Sequence, residues 1–134
     1  MLLVDTSVLV YAVGIDHALC GPARRFVQDV QSGATDGQTT PAVLQEFAHV
    51  RGRRRSREDA ARLADRYAAM LSPLVTVTAR DVAEGLDIWA GVPDIGAFDA
   101  VLSAVALAHG ARVLSADRAF SRVPGLEWVD LADY

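Results

Sequence analysis

The apolar positions of this chain repeat with two different periods, which predict short strands alternating with longer helices. Four brief apolar runs have the length of strands, whereas longer stretches with apolar residues three and four positions apart have the pattern of helices. The predicted strands cover residues 2–4, 74–78, 112–115 and 126–129. The predicted helices cover residues 6–13, about 21–32, 41 to about 50, 56 to about 71, 79–90 and 98–109.

Capping residues mark several of the helix ends. Thr40 stands immediately before Pro41, which is the usual pairing of an N-cap side chain with a proline in the first helical position. Gly110 follows the last helix, where a glycine commonly ends one. For the first helix, Thr6 or Ser7 is a possible N-cap. The segments predicted as loops are residues 33–38 and 91–96.

The order of these elements predicts an α/β fold. Strands separated by helices, with few hairpin signals, indicate crossover connections and a parallel sheet that helices cover on both faces. A length of 134 residues suits a single domain, 1–134, and a hydrophobic content of 51% gives it a core without disulfide or metal support. We expect Trp89 and Trp128 to pack in that core.

Composition excludes several kinds of chemistry. All 13 basic residues are arginine, so lysine-dependent Schiff bases and Walker-type phosphate loops are ruled out. The single cysteine, Cys20, allows neither an internal disulfide nor a cysteine zinc site, and it suits the reducing cytoplasm. No apolar run approaches 18 residues, so no membrane span is expected. The net charge of −4 argues against nucleic-acid binding by the whole surface, although it leaves room for a local basic patch.

Four acids stand at the ends of the predicted elements. Asp5 ends the first strand and Asp117 follows the strand at 112–115, so both lie at the carboxyl edge of the predicted sheet, where ligands bind. Glu46 is on the helix that begins at Pro41, and Asp99 is in the first turn of the helix at 98–109. A carboxylate cluster without cysteine or histidine favours Mg²⁺ or Mn²⁺ over zinc. Taken singly, each acid is more readily explained as a helix cap or a loop acid.

The segments around these acids resemble the four motifs of the PIN-domain nucleases. Residues 2–9 (LLVDTSVL) are similar to the opening strand and acid of that family, and residues 114–120 (LSADRAF) to its last acidic element. Residues 39–47 and 98–102 are similar to the second and third motifs. Ser115 stands where threonine is commoner in the family, which preserves a hydroxyl. Chain length and motif order match the VapC-type toxins of bacterial toxin–antitoxin pairs.

This resemblance implies a PIN-like three-layer α/β/α fold with a sheet of four to five strands, and a metal-dependent endoribonuclease. The implied ligands of one or two Mg²⁺ or Mn²⁺ ions are Asp5, Glu46, Asp99 and Asp117. A bound water would attack the scissile phosphate in line, leaving a 3′-hydroxyl and a 5′-phosphate. Thr6 and Ser115 would orient the carboxylates or the water, and Asp94 is a second candidate in the third motif, as an outer contact, an RNA contact or a loop acid. The implied partners are a VapB-type antitoxin, RNA and a second copy of the chain.

Five arginines crowd together after the predicted helix that carries Glu46. They are Arg51, Arg53, Arg54, Arg55 and Arg57. Such a patch would hold RNA phosphates without reading base sequence, or would receive an acidic antitoxin segment. The competing interpretation is a solvated loop between two helices. The three histidines are scattered and fit no metal or triad spacing.

Three other functions remain open from the sequence. A haloacid-dehalogenase-like phosphatase would need an aspartate where Ser7 stands and a lysine that the chain lacks, so the residues argue strongly against it. A PIN-like module that binds RNA or protein without cutting would have lost its metal site, and the presence of all four acids argues against it. A PIN nuclease of RNA maturation would share the chemistry and differ from a toxin in having no antitoxin reading frame beside its own.

Overall fold

Strands and helices alternate along the computed structural model, which describes all 134 residues. The strands are β1 (Leu2–Val4), β2 (Gly37–Gln38), β3 (Arg112–Ser115) and β4 (Trp128–Asp130). The helices are α1 (Thr6–Ala12), α2 (Cys20–Ser32), α3 (Pro41–Arg54), α4 (Arg57–Met70), α5 (Ala79–Gly91) and α6 (Ala97–His109). Short 3₁₀ turns cover Arg118–Arg122 and Leu131–Asp133. None of the helices combines the length and the apolar character that crossing a membrane requires.

The four strands form one parallel sheet in the order β2-β1-β3-β4. Leu3 of β1 is opposite Val113 of β3, and all three residues of β1 are buried. Successive strand residues point to opposite faces, so a fully buried strand means that helices cover both sides of the sheet. This arrangement confirms the predicted α/β fold with a four-stranded parallel sheet.

The caps of the helices agree with the sequence except at α1. The Thr40 hydroxyl accepts a hydrogen bond from the Val43 amide at the start of α3, and Gly110 ends α6 with a φ of 59°. The prediction of Thr6 or Ser7 as the N-cap of α1 is wrong, because Asp5 caps this helix. The strand ends at Val4 and the helix begins at Thr6, so the only position left for the cap is the acid between them.

Two assignments along the edge of the sheet are also wrong. Residues 74–78, predicted as a strand, are extended but join no sheet; the Val75 amide donates one hydrogen bond to the Thr39 carbonyl. Val75 is buried and Leu74 and Val77 are half-buried, which explains the strand-like pattern without strand pairing. The strand that lies beside β1 at this edge of the sheet is instead β2, within the segment predicted as a loop at 33–38. Its two residues include a glycine and carry no strand pattern, so only pairing with β1 reveals it.

The outer side of α5 is apolar and exposed. Val82, Leu86 and Trp89 are between 41% and 51% exposed, so the prediction that Trp89 packs in the core is wrong. Trp128 is half-buried, and its indole N–H donates to the Ser115 carbonyl at 3.2 Å. The inner side of α5 approaches α6 closely at Gly85, where a Cβ would come within 2.6 Å of the Val101 Cα. The apolar pattern of α5 therefore serves both helix packing and an exposed surface.

Candidate metal centre

Asp5 lies between β1 and α1, and its carboxylate is held from several sides. It is 5% exposed, and one oxygen accepts from the Thr6 amide at 2.6 Å. The other oxygen accepts from the hydroxyls of Ser7 at 2.8 Å and Ser115 at 2.7 Å. Ser115 ends β3, which lies beside β1 in the sheet, so the parallel pairing brings its hydroxyl to the acid. The carboxylate is thus fixed both by its neighbours in sequence and by Ser115, which is 110 residues further along the chain.

Glu46 reaches the same edge of the sheet from α3. The Thr6 hydroxyl donates to a Glu46 carboxylate oxygen at 2.7 Å, which leaves the other oxygen of Glu46 without a protein donor. Thr6 itself is buried and Glu46 is half-buried. The capped start of α3 at Thr40 fixes this helix, and the hydrogen bond then fixes the direction of the glutamate. Thr6 accordingly links the first acid segment to the second.

Asp117 begins the 3₁₀ turn after β3. Its backbone amide donates to the Ser115 hydroxyl at 2.9 Å, and one of its carboxylate oxygens caps the turn by accepting from the Ala119 amide at 2.8 Å. Asp117 is exposed and its second carboxylate oxygen accepts no hydrogen bond from the protein. The Ser115 hydroxyl therefore contacts two acids, since it donates to Asp5 and accepts from the amide of Asp117.

Asp99 differs from the other three acids because no protein group donates to its carboxylate. Burial, followed by the negative charges of Asp5, Glu46 and Asp117, raises the pKa of Asp99 to about 7. A carboxyl group surrounded by three others without a compensating cation has this behaviour. Its raised pKa shows that the four acids interact electrostatically, although they come from four separate segments.

All four acids line one cavity of about 700 Å³, here called the acid cavity. Asp5, Glu46 and Asp99 also border an apolar cavity of about 270 Å³ between α3, α5 and α6. In the structure no three acids, histidines or cysteines converge as a finished set of metal ligands. The donor set nevertheless fits Mg²⁺ or Mn²⁺, since it consists of carboxylate oxygens only and its mutual repulsion is relieved by a cation.

The arginine cluster divides into two groups. Arg51, Arg54 and Arg55 line the acid cavity, whereas Arg53 and Arg57 line a separate small cavity. The cluster is not a loop after α3, because Arg51, Arg53 and Arg54 form the last turn of that helix.

Arg51 is engaged inside the protein. It is 18% exposed and pairs with Asp59 of α4 at 2.7 Å. This hydrogen-bonded guanidinium holds the pKa of Asp59 below its ordinary value. Of the arginines at the acid cavity, Arg54 and Arg55 form no ion pair within the chain, so they remain available to a ligand.

Asp94 does not join the four acids. It lies in the loop before α6 with a φ of 67°, its side chain is 75% exposed, and it pairs with Arg122. It lines neither the acid cavity nor the apolar cavity. Of the two candidates in the third motif, the structure brings Asp99 to the cluster and leaves Asp94 on the surface.

Ser7 is a contact that the sequence reasoning missed. Its hydroxyl donates to Asp5 at 2.8 Å and accepts from the Ala116 amide at 3.2 Å. A hydroxyl two residues after a capping aspartate often folds back on it, and this local spacing was the available signal. The contact to Ala116 depends on the pairing of β1 with β3 and has no signal in the sequence.

Comparison with known proteins identifies the family. The family model described as PIN domain matches residues 2–126. The chain belongs to the PIN-domain family. Within it, the chain is 42% identical to Ribonuclease VapC7 of Mycobacterium tuberculosis over 126 residues, which are 90% of this chain and 85% of that protein. It is 29% identical to Ribonuclease VapC13 of the same organism, over 95% of this chain and 98% of that protein.

Solved structures show the same PIN-domain fold. VapBC from Salmonella typhimurium, crystallised with DNA, matches with a TM-score of 0.74 and 16% identity, over 97% of each chain. Mycobacterium tuberculosis VapC20, a toxin that cleaves the sarcin–ricin loop, matches with a TM-score of 0.70 and 21% identity, over 87% of this chain and 92% of that one. At these identities the likeness concerns the fold alone. Together with the family match, it confirms the resemblance inferred from the four motifs.

Proposed function

We propose that this PIN-domain protein is a Mg²⁺- or Mn²⁺-dependent endoribonuclease and the toxin of a toxin–antitoxin pair. The observation that carries the proposal is the meeting of four carboxylates at one open cavity, with arginines on the same wall. The relative with 42% identity is a ribonuclease by name, and a structural neighbour is a toxin that cuts RNA. The proposal covers the chain as one nuclease domain acting in the cytoplasm.

Asp5, Glu46, Asp99 and Asp117 would hold the cation. When bound, it would supply neutralisation of phosphate charge and a more acidic water, which phosphodiester hydrolysis requires. The oxygens without protein donors, on Glu46, Asp99 and Asp117, are those most accessible to a cation. Asp5 contributes a carboxylate whose orientation is already set by two serine hydroxyls.

The chain's own residues then have separable tasks. Ser7 and Ser115 keep Asp5 oriented, because both donate to the same oxygen. Thr6 keeps Glu46 turned toward the cluster. The carboxyl group of Asp99 holds a proton part of the time at neutral pH in the metal-free protein, and a cation would displace that proton.

The proposed partners follow from the surface. An acidic segment of a VapB-type antitoxin would find Arg54 and Arg55 at the rim of the cavity and could close it against RNA. Structural neighbours of this chain include VapBC from Rickettsia felis and from Salmonella typhimurium, each crystallised with DNA. The exposed apolar residues of α5, together with Phe98, which is 72% exposed, are the part of the surface that we assign to contact with a second copy.

The proposal is tested by incubating the purified, partner-free protein with total cellular RNA in Mg²⁺, in Mn²⁺ and in EDTA. We expect discrete cleavage products in at least one metal and none in EDTA, and end-sequencing of the products identifies the RNA and the site of the cut. If a folded protein, verified by circular dichroism, leaves all RNA intact in both metals and binds neither metal in a titration, the proposed function is wrong.

We expect the double substitution Arg54→Ala with Arg55→Ala to weaken RNA binding and its salt dependence. Each phosphate contact to a single strand contributes about 0.7 to the slope of log affinity against log salt, so two lost contacts lower the slope by about 1.4. The measurement is fluorescence anisotropy of a labelled RNA in EDTA between 50 and 200 mM salt, a range in which such slopes are resolved.

The matched control is the double substitution Arg53→Ala with Arg57→Ala. It removes the same charge from the same cluster but from residues outside the acid cavity. An equal change of slope in both double variants would mean that only net charge matters, and the assignment of Arg54 and Arg55 to the RNA path would fail.

A further inference from the structure

A pair of rings lies in the acid cavity beyond the four acids. Tyr11, near the end of α1, and His17, in the loop that follows, have ring centroids 4.6 Å apart with their planes inclined at 31°. Both residues line the acid cavity, and His17 is exposed. One face of the imidazole is therefore covered by the tyrosine, while the residue as a whole remains open to a ligand. The proposed metal chemistry makes no use of this pair.

The loop that carries the imidazole is held in place. The Leu19 amide donates to Nδ1 of His17 at 3.1 Å, and the Cys20 amide donates to the His17 carbonyl at 3.1 Å. Arg24 of α2 donates to the carbonyls of Ala12 and Gly14 on the near side of the loop. With Nδ1 used as an acceptor, the hydrogen of a neutral imidazole is on Nε2. The ring is thus oriented before any ligand binds.

The surroundings of this pair match one kind of ligand. Single-stranded nucleic acid binds where cationic side chains follow the backbone and aromatic rings receive the bases. The acid cavity contains both features, since Arg54 and Arg55 line the same space as Tyr11 and His17. A double helix offers no free base faces except at its ends, so rings at this position favour an unpaired nucleotide.

We propose that the Tyr11–His17 pair is a stacking site for an unpaired RNA base close to the phosphate that is cut. This inference rests on the proposed function and adds a requirement to it: the nucleotide that stacks here is unpaired. The base lies against the free face of the imidazole and extends the existing two-ring stack. Nε2–H points outward in the plane of the ring, so it remains open to an acceptor beside the stack, such as a sugar or phosphate oxygen of the RNA backbone.

The competing explanation is structural, since Nδ1 of His17 also accepts from the Leu19 amide just before α2. Two variants separate these roles. His17→Phe keeps an aromatic ring and loses the acceptor, whereas His17→Asn keeps a short acceptor and loses the ring. A stacking role predicts that phenylalanine retains function and asparagine does not. A purely structural role predicts the reverse order, together with a lower melting temperature for His17→Phe.

The first measurement is the steady-state rate of cleavage of a single-stranded RNA. This RNA contains the cleavage site that the assay with total cellular RNA identifies. Base stacking on a protein ring is worth about 5- to 150-fold in affinity, so we expect His17→Asn and His17→Ala to raise KM within that range with little change in kcat. We expect His17→Phe to stay within about threefold of the wild type, because the ring that supplies the stacking is kept. His49→Ala, an exposed histidine outside the acid cavity, is the control and should change neither parameter.

A second measurement needs no catalysis. A short RNA with 2-aminopurine beside the cleavage site is titrated with Asp5→Asn protein in EDTA, where stacking quenches the fluorescence of the base. Quenching that is lost with the added His17→Asn substitution, and kept with His17→Phe, supports the inference.

Unchanged KM and unchanged quenching in His17→Asn overturn the inference, while Asp5-dependent cleavage still supports the proposed function. Efficient cutting of the same sequence within a stable duplex would overturn it too. Absence of both cleavage and binding in the wild-type protein would overturn the proposed function and this inference together.

Discussion

Replacing Asp5 with asparagine is expected to lower metal-dependent RNA cleavage by about 100- to 1000-fold while the fold is retained. Stabilisation of phosphate charge by a protein-held cation is worth several kcal/mol, and each 1.4 kcal/mol is a factor of ten in rate. Asp5 is the most buried of the four acids and the one whose carboxylate is fixed by four donors, two backbone amides and two hydroxyls. If the four acids hold a cation as proposed, removing the charge of Asp5 would weaken its binding while the other three carboxylates remain in place.

Asparagine can replace Asp5 without unfolding the protein, so a loss of cleavage would reflect the lost carboxylate and not a lost fold. Its oxygen can accept from the Thr6 amide as the helix cap, since asparagine is as good an N-cap as aspartate. Its amide group would face the hydroxyls of Ser7 and Ser115, each of which can turn to accept a hydrogen bond. We therefore expect a loss of only about 1 kcal/mol in the free energy of unfolding.

The assay for this variant is cleavage of the same RNA in Mg²⁺ and Mn²⁺, with melting temperature recorded in parallel. Asp65→Asn is the matched control because Asp65 is an exposed acid of α4 that lines neither cavity. It should cleave as fast as the parent. Cleavage by Asp5→Asn at the parent rate would show that the metal-site assignment is wrong.

The sequence was enough to predict that Asp5 and Asp117 lie close together, because this prediction rests on only two facts. Both acids follow buried strands, and crossover connections make those strands parallel, so their carboxyl ends share one edge. The structure pairs β1 directly with β3 and places the two acids in the same cavity. Periodicity alone gave no such reason for Glu46 and Asp99, which reach the cavity from helices. Their places on the predicted helices made them candidates, and the resemblance to PIN-domain motifs then implied that they join the site.

What the sequence could not supply are the contacts made by pairing and loop geometry. Two hydrogen bonds depend on the register with which β1 pairs with β3. One joins the Ser115 hydroxyl to Asp5, and the other joins the Ala116 amide to the Ser7 hydroxyl. The stack of His17 on Tyr11 depends on a loop conformation that no hydrophobic pattern specifies. At residues 74–78 the sequence predicted a strand that the structure lacks. Their apolar residues are buried or half-buried without joining the sheet, and this burial gives the same hydrophobic pattern as a strand.

The stability of the metal-free protein is expected to depend on the ionisation of Asp99. Its pKa is about 7 in the folded chain and near 3.8 in the unfolded chain, so the fold binds a proton that the unfolded chain releases. This contribution to stability is fully present below pH about 4, falls as the pH rises, and is lost above about 7. Asp99→Asn removes the titration, and no protein hydrogen bond is lost with it.

We therefore expect Asp99→Asn to be more stable than the wild type in EDTA at pH 8, by about 1–2 kcal/mol once screening by solvent is allowed for. For a chain of this size that is a rise in Tm of several degrees, about 3–8 °C. The advantage should shrink steadily below pH 7 and vanish near pH 4. Comparing the two proteins at each pH cancels the titration of groups that they share.

Added Mn²⁺ should reverse the order of stability. A cation that binds the folded wild type raises its Tm by mass action, whereas Asp99→Asn lacks one of the four carboxylates and should gain much less. The same measurements on Asp94→Asn provide the control, since Asp94 is an exposed acid that pairs with Arg122 away from the cluster. A stability difference for Asp99→Asn that is the same at pH 5 and pH 8, and unaffected by Mn²⁺, would mean that the four acids neither repel one another nor share a cation. In that case their meeting at one cavity would be a feature of helix and turn capping alone.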